Sequence, residues 1–306
     1  MESIQAYQPR KTRRAQYREI RGLNYCFNEW GDDKLPLLLY LHGWGDSGAT
    51  FQFVVDELQQ DWHVVAPDWR GFGRSGHVGE SYWFPDYLAD LDAILDIYSS
   101  DAPVRLIGHS MGANIGGLYA GVFPDRVQSF INVEGFGLAD SDPADAPRNY
   151  RRWIEGSKSP AAYSSYQSFE ELVPRIQKRS PRMSLQQARF VANEWAKRDA
   201  DGVIRIRADS AHKLPNAVQY RRAEATACWD KVEARVLLVL GAETGFTGAL
   251  KSWNDPDESK HPFHGAPTAS IAGVGHMVHF EAPGELAAII EEFLAVSASP
   301  SQDQDL

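Results

Sequence analysis

Ser110 has the sequence context of a reactive serine. It lies in Gly108–Gly112, whose letters GHSMG match the pattern G-x-S-x-G, between a short apolar run and a helical pattern rich in Gly and Ala. The flanking glycines let the backbone adopt the strained conformation that a sharp strand-to-helix turn requires. The N-terminus of the following helix would present N–H groups to a negative charge on a carbonyl oxygen. The motif predicts that Ser110 is a nucleophile.

A serine hydroxyl is a poor nucleophile until a base takes its proton, and nine histidines compete for that role. His276 follows the last predicted strand, on a loop that can reach Ser110, and imidazole has an ordinary pKa of about 6.5. We therefore expect His276 to be the general base. His279 is expected to pack on the start of the following helix, and His42 and His109 to support the loops around the serine.

Two carboxylates are candidates for the acid that orients the histidine. Glu134 lies in an apolar, glycine-rich stretch at the end of the strand that follows the nucleophile helix. Burying a carboxylate there is costly unless it is paired, which favours a functional interpretation. Glu243 follows the predicted strand at 236–240 and is the alternative acid.

Two backbone N–H groups are candidates for stabilising an oxyanion. The turn His42–Gly45 (HGWG) follows an apolar run and can direct the N–H group of Trp44 toward the same oxygen as the N–H group of Met111. The predicted oxyanion hole is therefore formed by Trp44 and Met111. The side chain of Trp44 could also line an acyl pocket.

The segments between these residues predict a doubly wound α/β fold. Short apolar runs without polar alternation are typical of strands buried on both faces of a parallel sheet. They lie at 35–41, 63–67, 104–107, 127–133, 236–240 and 268–271, after a hairpin at 17–30. Helical patterns lie between them at 47–60, 84–98, 111–122 and about 283–296. This alternation indicates a mostly parallel sheet with helices on both faces.

One long stretch does not show this alternation of strands and helices. Residues 137–234 show helical patterns and no convincing buried strand, so we interpret them as a helical cap over the carboxyl edge of the sheet. The core domain would then comprise residues 1–136 and 235–306. We expect residues 1–17 to be a frayed tail and 297–306 to be disordered.

Composition restricts the class of partner. The net charge is −10, which argues against a nucleic-acid-binding protein and weakly against docking on anionic membranes. No stretch approaches the roughly 18 apolar residues of a membrane span, and the first residues lack the apolar region of a secretory signal. We expect a cytoplasmic protein without stable membrane insertion. The sequence leaves open whether it forms a homodimer.

Taken together, the loops at His42, at 68–75, at Ser110 and at His276 resemble those of the α/β-hydrolase superfamily. Within it, the chain resembles the serine hydrolase-like branch that is related to haloalkane dehalogenases. In that branch the acid can follow the strand after the nucleophile helix, as Glu134 does, 24 residues after Ser110. Other members commonly carry Asp three residues after the glycine that ends the next strand, where this chain has Thr244.

The departures from the dehalogenases limit the chemistry that the resemblance implies. Dehalogenases and epoxide hydrolases use an Asp nucleophile, whereas this chain has Ser110. Met111 stands in place of a halide-binding Trp, and Trp44 in place of an Asn that is often found after the first His-Gly. Halide release and epoxide opening are therefore disfavoured.

The resulting prediction is a carboxylesterase that works through an acyl-enzyme, with no metal and no organic cofactor. Its partner would be a small-molecule ester or acyl substrate. A hydrolase of C–C or thioester bonds with the same triad is one alternative. A weakly catalytic ligand receptor on the same fold is another, because fold alone does not determine function.

Overall fold

The computed structural model describes residues 7–159, 161–246, 263 and 265–295. Its strands are β1 (Arg14–Ile20), β2 (Leu23–Trp30), β3 (Leu37–Leu41), β4 (His63–Pro67), β5 (Val104–His109), β6 (Val127–Val133), β7 (Ser165–Tyr166), β8 (Ala196–Arg198), β9 (Ile204–Ile206), β10 (Arg235–Gly241) and β11 (Thr268–Ile271). Its α-helices are α1 (Gln52–Val55), α2 (Phe84–Tyr98), α3 (Met111–Val122), α4 (Ala146–Lys158), α5 (Val173–Arg179), α6 (Leu185–Trp195), α7 (Arg222–Trp229), α8 (Val278–Glu281) and α9 (Pro283–Ala295).

Eight strands form the main sheet in the order β1-β2-β4-β3-β5-β6-β10-β11. The pairs β1–β2 and β2–β4 are antiparallel, and every other neighbouring pair is parallel. The predicted strands at 63–67, 127–133 and 268–271 are confirmed with their bounds, as are the helices at 84–98 and 111–122. The apolar runs were informative because the central strands are covered on both faces.

Helices cover both faces of this sheet. Successive residues of a strand point to opposite faces, so Leu39 and Leu41 enter the core beneath α2 and α3, whereas Leu38 and Tyr40 enter the core beneath α1, α8 and α9. This arrangement is the predicted doubly wound fold. Among the described helices, none combines the length and the apolar character needed to cross a bilayer.

The segment between β6 and β10, which we call the insertion, contains α4 to α7 and also a small antiparallel sheet, β7-β9-β8. The expectation of helices alone was wrong at this point. Asp201-Gly202 lies in the turn between β8 and β9, and Gly202 has a φ of +83°. An Asp-Gly pair is a hairpin signal, because glycine readily adopts positive φ. The cap boundaries at 137 and 234 stay a prediction.

The helix predicted over 47–60 was also wrong in its length. A 3₁₀ turn, Gly48–Phe51, leads into the single turn of α1. The N–H groups of Gln59 and Gln60, which a longer helix would bond internally, donate to the carboxylate of Glu291 at 3.0 and 2.7 Å. A tertiary partner therefore ends the helix before its sequence pattern does.

The N-terminal segment is more ordered than predicted. Strand β1 begins at Arg14, and Tyr7 donates its hydroxyl hydrogen to Asp56 at 2.7 Å. The N–H group of Lys11 donates to the same carboxylate, also at 2.7 Å. The described part of the predicted tail is thus held against the end of α1. Residues 1–6 and the expected disordered segment at 297–306 lie outside the described residues.

Candidate active site

Four parallel strands bring the candidate residues to one edge of the main sheet. Ser110 follows β5, Glu134 follows β6, Thr244 lies in the turn after β10, and His276 lies in the loop after β11. These strands are neighbours in that order, so the loops that follow them lie side by side.

Ser110 occupies a strained turn between β5 and α3. Its φ of +52° lies in the left-handed region, which is sterically costly for a residue with a side chain. A methyl group on Gly112 would lie 2.1 Å from the backbone oxygen of Leu41, and one on Gly43 would lie 2.8 Å from His109 Nδ1 and 3.2 Å from Ser110 Cβ. Glycine is therefore required at position 112, and at position 43 it lets the turn after β3 approach the serine closely.

The two predicted oxyanion donors flank this turn. Met111 is the first residue of α3, and Trp44 belongs to the turn after β3 that contacts Ser110. Within the described part of the chain, neither backbone N–H group has a protein acceptor. Both groups are therefore available to a carbonyl oxygen bound beside Ser110.

Glu134 is buried and accepts hydrogen bonds from three directions. Its Oε1 accepts from the N–H group of Gly241 at 2.7 Å, and its Oε2 accepts from the Thr244 hydroxyl at 2.6 Å. His276 Nδ1 lies 3.0 Å from the same Oε2. Because a carboxylate accepts, Nδ1 carries the hydrogen and Nε2 is left as an acceptor. The conformation of Glu134 is also strained, with a φ of +58°.

Glu243, the alternative acid, is placed differently. Its side chain is exposed, and no hydrogen bond or ion pair joins it to His276 in the described residues. The neighbouring Thr244, at the position where a carboxylate was considered, hydrogen-bonds Glu134 instead. Sequence reasoning missed this role of Thr244, although a buried hydroxyl in a turn must find a partner.

His276 stands between Glu134 and the serine turn. Its ring contacts Phe246 and His109, with centroids 4.5 and 4.8 Å apart. Among the described residues, no hydrogen bond within 3.5 Å joins the Ser110 hydroxyl to His276. Such contacts are often long before a substrate binds.

The other histidines near the serine hold loops in place. His42 Nδ1 donates to the backbone oxygen of Gly43 at 2.7 Å, and its Nε2 accepts from the N–H group of Trp69 at 2.8 Å. Burial lowers the pKa of His42, so its ring is neutral in this arrangement.

A buried polar group lies behind the serine turn. One carboxylate oxygen of Asp46 and one ring nitrogen each of His109 and His279 lie within 4.8 Å of one another. These residue types could ligate a metal ion, but the Asp46 carboxylate already accepts from Thr50, Trp195 and His279 at 2.9, 2.7 and 3.0 Å. Protein donors thus satisfy the Asp46 carboxylate, whereas the Nδ1 atoms of His109 and His279 are buried without a partner among the described residues. The sequence did not indicate this group.

A cavity of about 280 Å³ opens beside the two predicted oxyanion donors. Trp44 and Met111 lie in its wall, together with residues of the segment before and within α2 and of the insertion: Ser81, Tyr82, Trp83, Phe84, Tyr87, Trp153, Ala211, His212, Leu214, Pro215, Asn216, Ala217 and Val218. No Asp, Glu, Lys or Arg occurs among these described lining residues.

His212 in the cavity wall is also neutral. Its ring stacks between Phe72 and Tyr82, with centroids 3.8 and 3.6 Å away. Burial lowers its pKa to about 4. The cavity therefore presents an uncharged, largely aromatic surface.

The aromatic residues of the insertion are placed differently from one another. Trp153 lines this cavity. Tyr166, Phe169, Phe190 and Trp195 belong to a cluster that joins the insertion to Phe53 of α1 and Phe280 of α8, and Tyr163 packs against the core beneath α2 and α3.

With this geometry described, comparison with known proteins is informative. The sequence profile of the α/β hydrolase fold family matches residues 36–283. The chain belongs to this family. It is 27% identical to a serine hydrolase-like protein of Danio rerio over 94% of this chain and 88% of the relative. It is 24% identical to serine hydrolase-like protein 2 of Homo sapiens over 87% of this chain and 88% of that relative.

Solved structures of this family resemble the chain in fold. The thioesterase domain from the curacin biosynthetic pathway has a TM-score of 0.81 and 24% identity, covering 92% of this chain and 99% of that domain. An esterase from Mycobacterium tuberculosis has a TM-score of 0.67 and 19% identity, with 93% and 92% coverage. The predicted α/β-hydrolase fold and the resemblance to serine hydrolase-like proteins are confirmed.

The contact between Thr244 and Glu134 generates a prediction about stability. Thr244→Val keeps the shape of the side chain but removes the hydroxyl that donates to a buried carboxylate. We expect a loss of about 1.5–3 kcal/mol in the free energy of unfolding, measured by denaturant titration. Thr268→Val, at an exposed position of β11, is the matched control and should change stability little. Equal effects of the two substitutions would contradict the prediction.

Proposed function

We propose that this α/β-hydrolase is a carboxylesterase in which Ser110 attacks, His276 transfers protons and Glu134 orients His276. The observation that carries the proposal is the 3.0 Å contact between His276 Nδ1 and Glu134 Oε2. It fixes the tautomer in which Nε2, the nitrogen left free, can accept a proton. The serine turn lies at the same edge of the sheet.

In the proposed mechanism, His276 Nε2 accepts the Ser110 proton while Oγ attacks the carbonyl carbon of an ester. The negative charge on the carbonyl oxygen is stabilised by the N–H groups of Trp44 and Met111. The protonated imidazole then donates its proton to the leaving alcohol, and an acyl-enzyme remains on Ser110. His276 then takes a proton from water, whose oxygen attacks the acyl carbon. The protonated His276 donates that proton to the departing Ser110 Oγ, and the carboxylic acid is released.

The cavity beside the proposed oxyanion donors supports a substrate whose acyl group is neutral and binds in this cavity. A volume of about 280 Å³ suits a short aliphatic or single-ring group. An ionised group would lose its hydration there without gaining a charged partner among the described lining residues. The proposed substrate class is therefore an ester of a small, uncharged acid.

A fluorophosphonate tests whether Ser110 is activated. The purified protein and Ser110→Ala are treated with the reagent, and their intact masses are measured. We expect one adduct on the wild type and none on the variant, because only an activated serine displaces fluoride from phosphorus. An unlabelled wild type would overturn the proposal, and ligand screening by thermal shift would then test the receptor alternative.

The acid is tested by comparing two glutamates. Glu134→Gln replaces the acceptor beside His276 Nδ1 with an amide that can favour the wrong tautomer, so we expect the turnover number to fall by about 10³- to 10⁴-fold. Glu243→Gln, at an exposed position in the neighbouring turn, should leave it unchanged. Steady-state kinetics with a 4-nitrophenyl ester measures both. A large loss in the second variant alone would transfer the role to Glu243.

The cavity predicts discrimination by charge. For 4-nitrophenyl butyrate and 4-nitrophenyl hemisuccinate, which differ by a terminal methyl against a carboxylate, we expect kcat/KM to be about 100-fold higher for the neutral ester. The comparison shares one leaving group, so it measures acyl recognition alone. Equal values would contradict the assignment of the cavity to the acyl group. A thioester with the same acyl chain would separate the thioesterase alternative.

A further inference from the structure

The end of helix α6 in the insertion is tied to the core by charged and polar contacts. Glu194 accepts from Arg13 at 2.7 Å and from Arg74 at 2.8 Å. The next residue, Trp195, donates its indole N–H to Asp46 Oδ1 at 2.7 Å. Asp46 is 3% exposed and follows the turn that carries Trp44. The insertion therefore contacts a buried carboxylate that lies close to the turn carrying Trp44.

Asp46 also contacts helix α8, which directly follows the loop that carries the proposed base. His279 Nε2 lies 3.0 Å from Asp46 Oδ2, while Thr50 and Trp195 donate to Oδ1. Burial opposes ionisation of Asp46, but the hydrogen bonds from His279 and Trp195 hold its pKa below the ordinary value. The ionised carboxylate accepts all three hydrogen bonds and so fixes the position of α8 relative to the insertion.

His109 connects His279 to the proposed base, His276. Its ring lies between those of His279 and His276, with centroids 4.5 and 4.8 Å away. His109 Nε2 lies 2.9 Å from the backbone oxygen of His276, which can only accept, so Nε2 carries the hydrogen. The remaining nitrogen, Nδ1, is buried and has no hydrogen-bond partner in the described residues. The contact between His109 and His279 is therefore one of packing.

We infer that Asp46 is a positioning residue that couples docking of the insertion, through Trp195, to the placement of His276, through His279 and His109. The inference rests on the proposed function and concerns the positioning of the base at the same site. With Trp195 donating, Asp46 holds His279, and the packed His109 fixes the His276 carbonyl. Without the Trp195 donor, Asp46 loses one of its three hydrogen bonds, and His276 is held less firmly.

The experiment compares four variants with the wild type: Trp195→Phe, Asp46→Asn, the double variant, and Trp62→Phe. Trp62 is the matched control because its indole N–H also donates to a carboxylate, that of Glu291 at 3.4 Å, away from the serine turn. Two quantities are measured for each protein: the rate constant for fluorophosphonate labelling of Ser110, and the low-field proton resonance of the hydrogen between His276 Nδ1 and Glu134. Melting temperatures identify variants that lose the fold.

We expect labelling to slow by about 10-fold in Trp195→Phe and by about 100-fold in Asp46→Asn, because small displacements of reacting groups are costly. The double variant should be no slower than Asp46→Asn, since Trp195 acts through Asp46. The low-field resonance should shift in these three variants and stay in place in Trp62→Phe. A merely structural role would lower the melting temperature without moving the resonance of the folded protein.

Two outcomes would overturn the inference while leaving the proposed function intact. One is wild-type labelling with an unshifted resonance in Trp195→Phe. The other is a double variant slowed by the product of the two single effects. If the wild type is not labelled at all, the proposed function fails, and the low-field resonance alone then tests the coupling. A shift in Trp195→Phe would support the coupling, and an unshifted resonance would overturn it.

Discussion

The carboxylate of Glu134 joins the turn after β10 to the loop after β11. Its two oxygens accept from the end of β10, from the turn that follows it and from the histidine loop after β11. An unsatisfied carboxylate at this depth would cost several kcal/mol, so each donor compensates part of that penalty. The strained backbone at Glu134 and Ser110, at the ends of neighbouring strands, is tolerated because these contacts fix the surrounding loops. The positions of the loops at this edge of the main sheet follow from the need to satisfy the buried charge of Glu134.

Much of this arrangement could be predicted from the sequence because its signals are local. The apolar runs at 63–67 and 127–133 identify strands covered on both faces, and the letters around Ser110 identify the turn. Glu134 is favoured as the acid mainly because its position resembles that of the acid in the serine hydrolase-like branch, and also because a lone carboxylate among apolar residues needs a partner. Its contact with His276 agrees with that reasoning, although the catalytic role of Glu134 stays a proposal.

What could not be predicted depends on contacts between distant residues. The helix expected over 47–60 is cut short because Glu291, far along the chain, accepts the N–H groups of Gln59 and Gln60. The group of Asp46, Trp195 and His279 has no local pattern, since its members come from the turn after β3, the insertion and α8. The small sheet of the insertion differs, because its hairpin carries a local signal, Asp201-Gly202, that the interpretation of helices alone left out.

The position of Thr244 has an evolutionary consequence. Its hydroxyl lies 2.6 Å from Glu134 Oε2, so an aspartate at position 244 would bring a second carboxylate next to the present one. The fold thus has two backbone positions, 134 and 244, at which the one negative charge could be attached. A lineage could exchange them through an intermediate that holds both side chains, one of them protonated, because two adjacent carboxylates share a proton readily. The acid could therefore change from the end of β6 to the turn after β10 while the loop that carries His276 stays the same.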